Sequence, residues 1–128
     1  MLIKMNSAIF DGFVFNVGWK KTANIHLFGK DYIIIHKVRT YFEEDEITRE
    51  QHEAYLDYIT TEKNKANVIE RLLTEYSQKA SERFIPRTLL FEEDGTYALL
   101  CDDKEEPDDG IAVCLVPETK IMSQDDYL

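Results

Sequence analysis

The chain has 128 residues, of which 44% are hydrophobic and 31% charged, and its formal net charge is −10. A length of this order gives one domain around one core, and the apolar and aromatic content excludes a disordered chain. Direct binding to nucleic acid or to an anionic membrane surface is disfavoured, because both demand a basic footprint.

The first forty residues read as β structure. A short strand is expected at Ser7–Phe10, with Asp11-Gly12 as a tight turn or bulge after it. Phe13–Val17 is rich in aromatic and β-branched residues, and Gly18 interrupts it before Trp19. Thr22–Phe28 alternates, with Ile25 and Leu27 on one face and Asn24 and His26 on the other. Gly29-Lys30-Asp31 is turn chemistry leading into Tyr32–Val38, so an antiparallel meander of three strands is expected.

The middle reads as helix. An acidic run, Glu43–Glu46, suits the positive end of a helix dipole, and Thr48-x-x-Gln51 matches a capping box. From there to Arg83 the chain has no Gly or Pro, and Tyr55, Ile59, Ala66, Ile69, Leu73, Tyr76 and Ala80 form one apolar stripe. Thr60-Thr61 and Glu62 interrupt the pattern, so a break is expected near Thr60–Asn64. Such a stripe lies across a sheet or pairs with a second chain.

The end returns to β. Arg87–Phe91 and Thr96–Cys101 flank Glu92-Glu93-Asp94-Gly95, whose Asp-Gly is a hairpin signal. Asp102–Gly110 is an acidic loop, and Ile111–Val116 is a continuous apolar run of strand length that ends at Pro117. The tail Gln124–Leu128 is expected to dock its Tyr127 and Leu128 on the domain. The fold class is therefore α+β over residues 1–128: an antiparallel sheet with one long or broken helical segment on one face.

Chemical motifs are sparse. His52-Glu53-x-x-Leu56 starts like a helical zinc-protease signature but has leucine where the second ligand belongs. His26 and His36 sit on neighbouring strands, yet two histidines without a third ligand make a weak metal site, and polar sheet-face residues explain them as well. The 102–109 loop lacks EF-hand spacing, since Lys104 takes the third position and no glycine the sixth. No serine sits in a nucleophile elbow, and the five glycines are scattered, so no phosphate loop forms. Hence no catalytic residue, cofactor or metal ligand is assigned. Cys101 and Cys114 fall in apolar runs and read as buried thiols. With no secretion signal at the N-terminus and no run of roughly 18 apolar residues, a cytoplasmic setting is expected.

Charge is the strongest functional signal. Residues 92–128 hold twelve Asp or Glu against two Lys, whereas residues 1–91 balance at thirteen each. Such polarisation fits a face for a basic protein partner. The candidate contact residues are Glu92, Glu93, Asp94, Asp102, Asp103, Glu105, Glu106, Asp108 and Asp109, with Trp19 and Tyr97 as aromatic anchors. Trp19, beside Gly18, also suits simple packing on the sheet edge. A regulatory or structural homodimer through the helix stripe is the second reading, and a metal-dependent hydrolase a weaker third. Surplus carboxylates that serve only solubility explain the same composition.

Short pieces along the whole chain resemble a family of small bacterial proteins of unknown function. They are Gly18-Trp19-Lys20, Phe28-Gly29-Lys30, the acidic run into Thr48 and Gln51, Gly110–Val113, Pro117-Glu118 and the closing Gln-Asp-Asp-Tyr-Leu. Met122-Ser123 departs from the Gly-Pro or similar pair expected before Gln124. The resemblance implies no catalytic residues. Some similar small acidic proteins look like immunity partners encoded beside secreted toxins, which by analogy implies a non-catalytic domain masking a basic protein.

Overall fold

In the computed structural model, residues Leu2–Ile3 and Ala8–Leu128 are described. Period-two patterning builds the two longest strands, β3 (Trp19–Leu27) and β4 (Lys30–Val38). Phe28 and Gly29 join them, both with positive φ (54° and 73°), the backbone shape that matches strand twist in a two-residue hairpin. The turn thus sits one residue ahead of the expected Gly29-Lys30-Asp31. The Phe28 N–H donates to the Glu70 carboxylate, which ties the hairpin tip to a helix.

Preceding them are β1 (Leu2–Ile3), a 3-10 helix at Ala8–Phe10 and β2 (Val14–Phe15). Ser7 of the expected first strand lies outside the described residues, and Ala8–Phe10 are helical where a strand was expected. Phe10 and Phe13 turn inward onto Tyr55, each ring about 5.4 Å from it. After β4 come β5 (Ile47–Thr48), α1 (Arg49–Thr60), α2 (Glu62–Tyr76) and α3 (Ala80–Arg83). The helix breaks at Thr61, inside the expected window. Thr61 Oγ1 donates to Asp57 O at 2.6 Å, the local bond by which threonine competes with helix continuation.

The chain then runs through β6 (Phe84–Phe91), β7 (Tyr97–Asp103), β8 (Ile111–Val116), β9 (Lys120–Ser123) and α4 (Gln124–Tyr127). Among the described residues the main sheet has the order β2-β3-β4-β6-β7-β8-β9, and β1 pairs with β5 beside it. The fold is α+β with a mixed, mostly antiparallel sheet. β4 and β6 run parallel, which the antiparallel expectation missed. A helical crossover between sheet neighbours brings the chain back in the same direction, whereas only a short turn reverses it.

The helices cover one face. Ile34, His36 and Val38 of β4, Leu89 and Phe91 of β6, and Tyr97, Leu99 and Cys101 of β7 are all buried with Tyr55, Tyr58, Ile69 and Leu73. The apolar stripe of the helices is therefore largely consumed by the sheet. Tyr76 (52% exposed) and Ile59 (36%) remain open. On the outer face Tyr127 packs with Leu100 and Met122 against Ala98, Ala112 and Cys114, while Leu128 stays exposed. The tail docks through its tyrosine alone. This explains why β8 is buried on both sides. Cys101 and Cys114 are free, buried, and on opposite faces. No helix among the described residues is long and apolar enough to cross a membrane.

Gln51 joins the layers. Its amide nitrogen donates to Arg39 O at 2.8 Å, one residue past the end of β4, and to Phe91 O at 3.3 Å, the last residue of β6, and its oxygen accepts from Thr48 N at 2.9 Å. Thr48 Oγ1 accepts in return from Gln51 N, completing the capping box. Gln51 is fully buried. Gln51→Leu leaves Arg39 O and Thr48 N buried without that partner, so a loss of about 3 kcal/mol is expected in urea unfolding, against a few tenths for Gln78→Leu in the exposed segment.

His36 is the one buried histidine. It packs edge-on against Tyr55 and Tyr58, with Nδ1 3.0 Å from the Tyr55 hydroxyl. Burial, with a smaller contribution from Lys21 opposite it, pushes its pKa down from 6.5 to about 4. The unfolded chain therefore takes up this proton before the folded one does. Stability is full above pH 6.5 and falls as pH drops toward 4. Between about pH 7 and pH 5 the urea midpoint is expected to report a loss of roughly 2 kcal/mol, a slope that His36→Leu abolishes.

Candidate functional site

The acids of residues 92–128 do not share one surface. Glu92, Glu93 and Asp94 form the turn before β7, and Asp102–Asp109 follow from its other end. Seven strand residues at about 3.4 Å each put roughly 20 Å between the two groups.

The far group is partly neutralised. Asp103 is 3% exposed and receives both Arg83 Nε (2.8 Å) and Nη2 (2.9 Å) in a bidentate pair. It also accepts from Glu105 N at 3.0 Å. The Arg83 hydrogen bond holds its carboxyl below the usual carboxylate range. Arg83 in turn lies over the rings of Phe84 (4.9 Å) and Tyr76 (5.6 Å). Asp102 pairs with Arg87 at 2.7 Å, and Glu105 approaches Arg83 at 3.7 Å. Glu106, Asp108 and Asp109 remain on the outside of this loop, with Asp125 and Asp126 of α4 beside it. Asp103 is thus a structural residue that no partner can reach. Asp103→Asn is expected to cost about 2 kcal/mol in thermal or urea unfolding, because it removes the charged acceptor of a bidentate pair whose arginine is half-buried, whereas Asp108→Asn stays within about 0.5 kcal/mol.

The near group has company that the sequence reading left out. Thr48 Oγ1 donates to Glu93 O at 2.6 Å and stitches the 92–95 turn to the loop between β4 and β5. Gly95 makes the contact possible: at φ +87° it lies so close to Glu50 that a Cβ would meet Glu50 O at 3.0 Å. The β4–β5 loop carries Tyr41 (69% exposed) and Phe42 (61% exposed), followed by Glu43, Glu44, Asp45 and Glu46. Phe42 N donates to Asp45 Oδ2 and Asp45 N to Phe42 O, both at 3.1 Å, closing a turn that holds the rings outward. Glu92 is paired with Arg39 at 2.8 Å. Asp94 binds Thr96 through its backbone N–H and hydroxyl, which lowers the Asp94 pKa and leaves the carboxylate charged.

Between these segments lies a cleft of about 240 Å³ lined by Asp45, Glu46 and Glu93 together with Thr40, Tyr41 and Arg39. Thr40 is 8% exposed, and its hydroxyl has no hydrogen-bond partner among the described residues. The signal for this site was present in the sequence as two adjacent aromatics beside four acids. Neither ring belongs to a strand or helix periodicity that would bury it.

The expected anchors lie elsewhere. Tyr97 is fully buried, stacked on Phe91 at 4.8 Å, with its hydroxyl donating to Asp57 at 3.1 Å. It is a core residue and not a surface anchor. Trp19 is half-buried against Phe15 at the β2–β3 pairing and opposite Val38 in register, at the end of the sheet from which the 39–46 loop leaves.

His26 and His36 do not meet. Their register partners are Asp31 and Lys21, and the side chains take opposite faces of the sheet. His26 Nδ1 does lie 2.8 Å from Asp31 Oδ1, at a cleft of about 590 Å³ bounded by Ile59, Thr60 and Ala66. Both partners are more than half exposed, and the Thr60 hydroxyl is bonded to Leu56 O. Among the described residues no three His, Cys, Asp or Glu converge as metal ligands. His52 packs its ring near Phe10.

Comparison with family models, with curated proteins and with solved structures finds no match for this chain.

Proposed function

We propose that the protein is a non-catalytic binding domain whose acidic, aromatic end docks a basic protein. The supporting observation is the exposed pair Tyr41–Phe42, followed in sequence by Glu43, Glu44, Asp45 and Glu46, at a cleft that Tyr41, Asp45, Glu46 and Glu93 line. Aromatic anchors supply buried area and surrounding charge supplies steering, the division of labour found in protein interfaces. The cleft beneath offers a place for a lysine or arginine side chain, with carboxylates for its charge and the free Thr40 hydroxyl as an acceptor. Carboxylates spread over an end of the molecule suit an extended cationic surface better than a point cation.

In this reading Glu93 and Asp94 keep their assigned role, Glu92 tunes it through Arg39, and Glu106, Asp108 and Asp109 contribute only long-range field. The immunity-like form of the proposal, a domain that masks a basic toxin in the cytoplasm, follows from the acidic surface and the resemblance of the sequence pieces. The buried free thiols are compatible with that compartment.

The test uses cytochrome c as a basic probe protein and amide NMR as readout. Shifts are expected to concentrate at residues 41–46 and 93–95, with affinity falling about tenfold on raising salt from low to physiological strength. Tyr41→Ser with Phe42→Ser is expected to weaken binding by about tenfold without changing the unfolding midpoint. Shifts centred on residues 102–109, or no effect of the double substitution, would refute the site.

A further inference from the structure

The outer face of the sheet is covered over β7–β9 by α4, but not over β3, β4 and β6. There Ile35, Leu90, Leu100, Thr88 and Leu128 of the tail line a cleft of about 230 Å³, with Lys20, Lys37 and Arg39 around it. Register sets Lys20 directly opposite Lys37. Like charges in opposed positions destabilise a sheet. Yet this chain has 25 acids for 15 bases, and neither lysine forms an ion pair among the described residues.

The arrangement is also built. Gly18 takes φ +111°, and the Lys37 stem lies so close over it that a Cβ would come within 2.8 Å of Lys37 Cε. A missing side chain at position 18 therefore lets Lys37 lie where it does. Burial is the main cause that lowers the Lys37 pKa, with Lys20 and Arg39 adding to it. Two unpaired cations beside an apolar floor have the chemistry of a receptor for a molecule that is anionic at one end and apolar at the other.

We propose that this cleft binds a small amphiphilic carboxylate, its anionic head between Lys20 and Lys37 and its chain on Ile35, Leu90 and Leu100. A cleft of about 230 Å³ calls for a small ligand, of the order of a short-chain acid. The site shares Arg39 with the cleft at the acidic end but opens on the outer face of the sheet, and it adds a ligand to a protein otherwise read as a protein-binding domain.

Methyl NMR titration at low ionic strength tests it, with hexanoate as the probe and hexanol and acetate as separate arms. Saturable shifts of the Ile35, Leu90 and Leu100 methyls are expected, with hexanoate binding about tenfold more tightly than either control. Lys37→Met keeps the stem and removes the charge, so it is expected to weaken hexanoate about tenfold. The same variant, without ligand, is expected to melt a few degrees higher because the Lys20–Lys37 repulsion is gone. Equal binding of hexanol or of acetate, undiminished binding by Lys37→Met, or a lower melting temperature for that variant would each overturn the proposal.

Discussion

A single amide side chain closes the centre of this fold. Two neighbouring parallel strands end at Val38 and Phe91, and beyond them backbone carbonyls face a buried helix start. An unpaired buried carbonyl costs about 1–3 kcal/mol. Gln51 answers with both of its N–H groups and its oxygen. Because it does so from the third position of α1, the helix start, the end of β4 and the end of β6 hold one fixed relation. The loops that leave this junction, 39–46 and 92–95, are thereby set side by side. The acidic, aromatic end is a consequence of that closure.

Charge follows the same logic of placement. Along the chain the acids crowd into the last 37 residues, but a strand has length, and β7 carries the two halves of that run to opposite ends of the sheet. One half is drawn into structure: Asp103 holds Arg83 inside, and Asp102 holds Arg87. The other half joins acids from residues 43–46, which precede it by about fifty positions. Between the two ends the outer face carries Lys20 and Lys37. A net charge of −10 is thus the sum of separate surfaces of unlike sign, and net charge alone does not describe what a partner would meet.

Much of the fold was legible from local pattern. The alternation in β3 and β4, the Asp94-Gly95 turn, the Thr48–Gln51 capping box and the break at Thr61 all rest on interactions within a few residues. What local pattern could not carry was pairing over distance. The parallel contact of β4 with β6 depends on the crossover, and β9 forms a strand because β8 offers it an edge. Ala8–Phe10 reads as a strand by composition, but burying Phe10 and Phe13 on Tyr55 favours a helical turn. Tyr97 looked available because it opens a strand beside acids; its partner Phe91 lies on the helix-covered face, so it had to be inside. The charge cluster was misplaced for the same reason, since adjacency in sequence was read as adjacency in space.

Two of the places where the chain departs from what a stable fold favours lie on its surface. Most of the large aromatics here are packed on one another, yet Tyr41 and Phe42 stand in water on a turn that holds them out. Leaving two such rings exposed forgoes about 25 cal/mol for each Å² that burial would remove from water. Lys20 and Lys37 oppose each other where a polar or apolar pair would be more stable. Elsewhere α1 carries a full capping box, the sheet faces alternate, and the deepest ion pair is bidentate. Neither exception contributes stability, and the two proposals above, an aromatic and acidic end for a cationic protein and a cationic cleft for a small anion, are offered to account for them. Substituting either should therefore leave the fold standing, in contrast to Gln51 and Asp103, whose polar groups are spent entirely on holding it together.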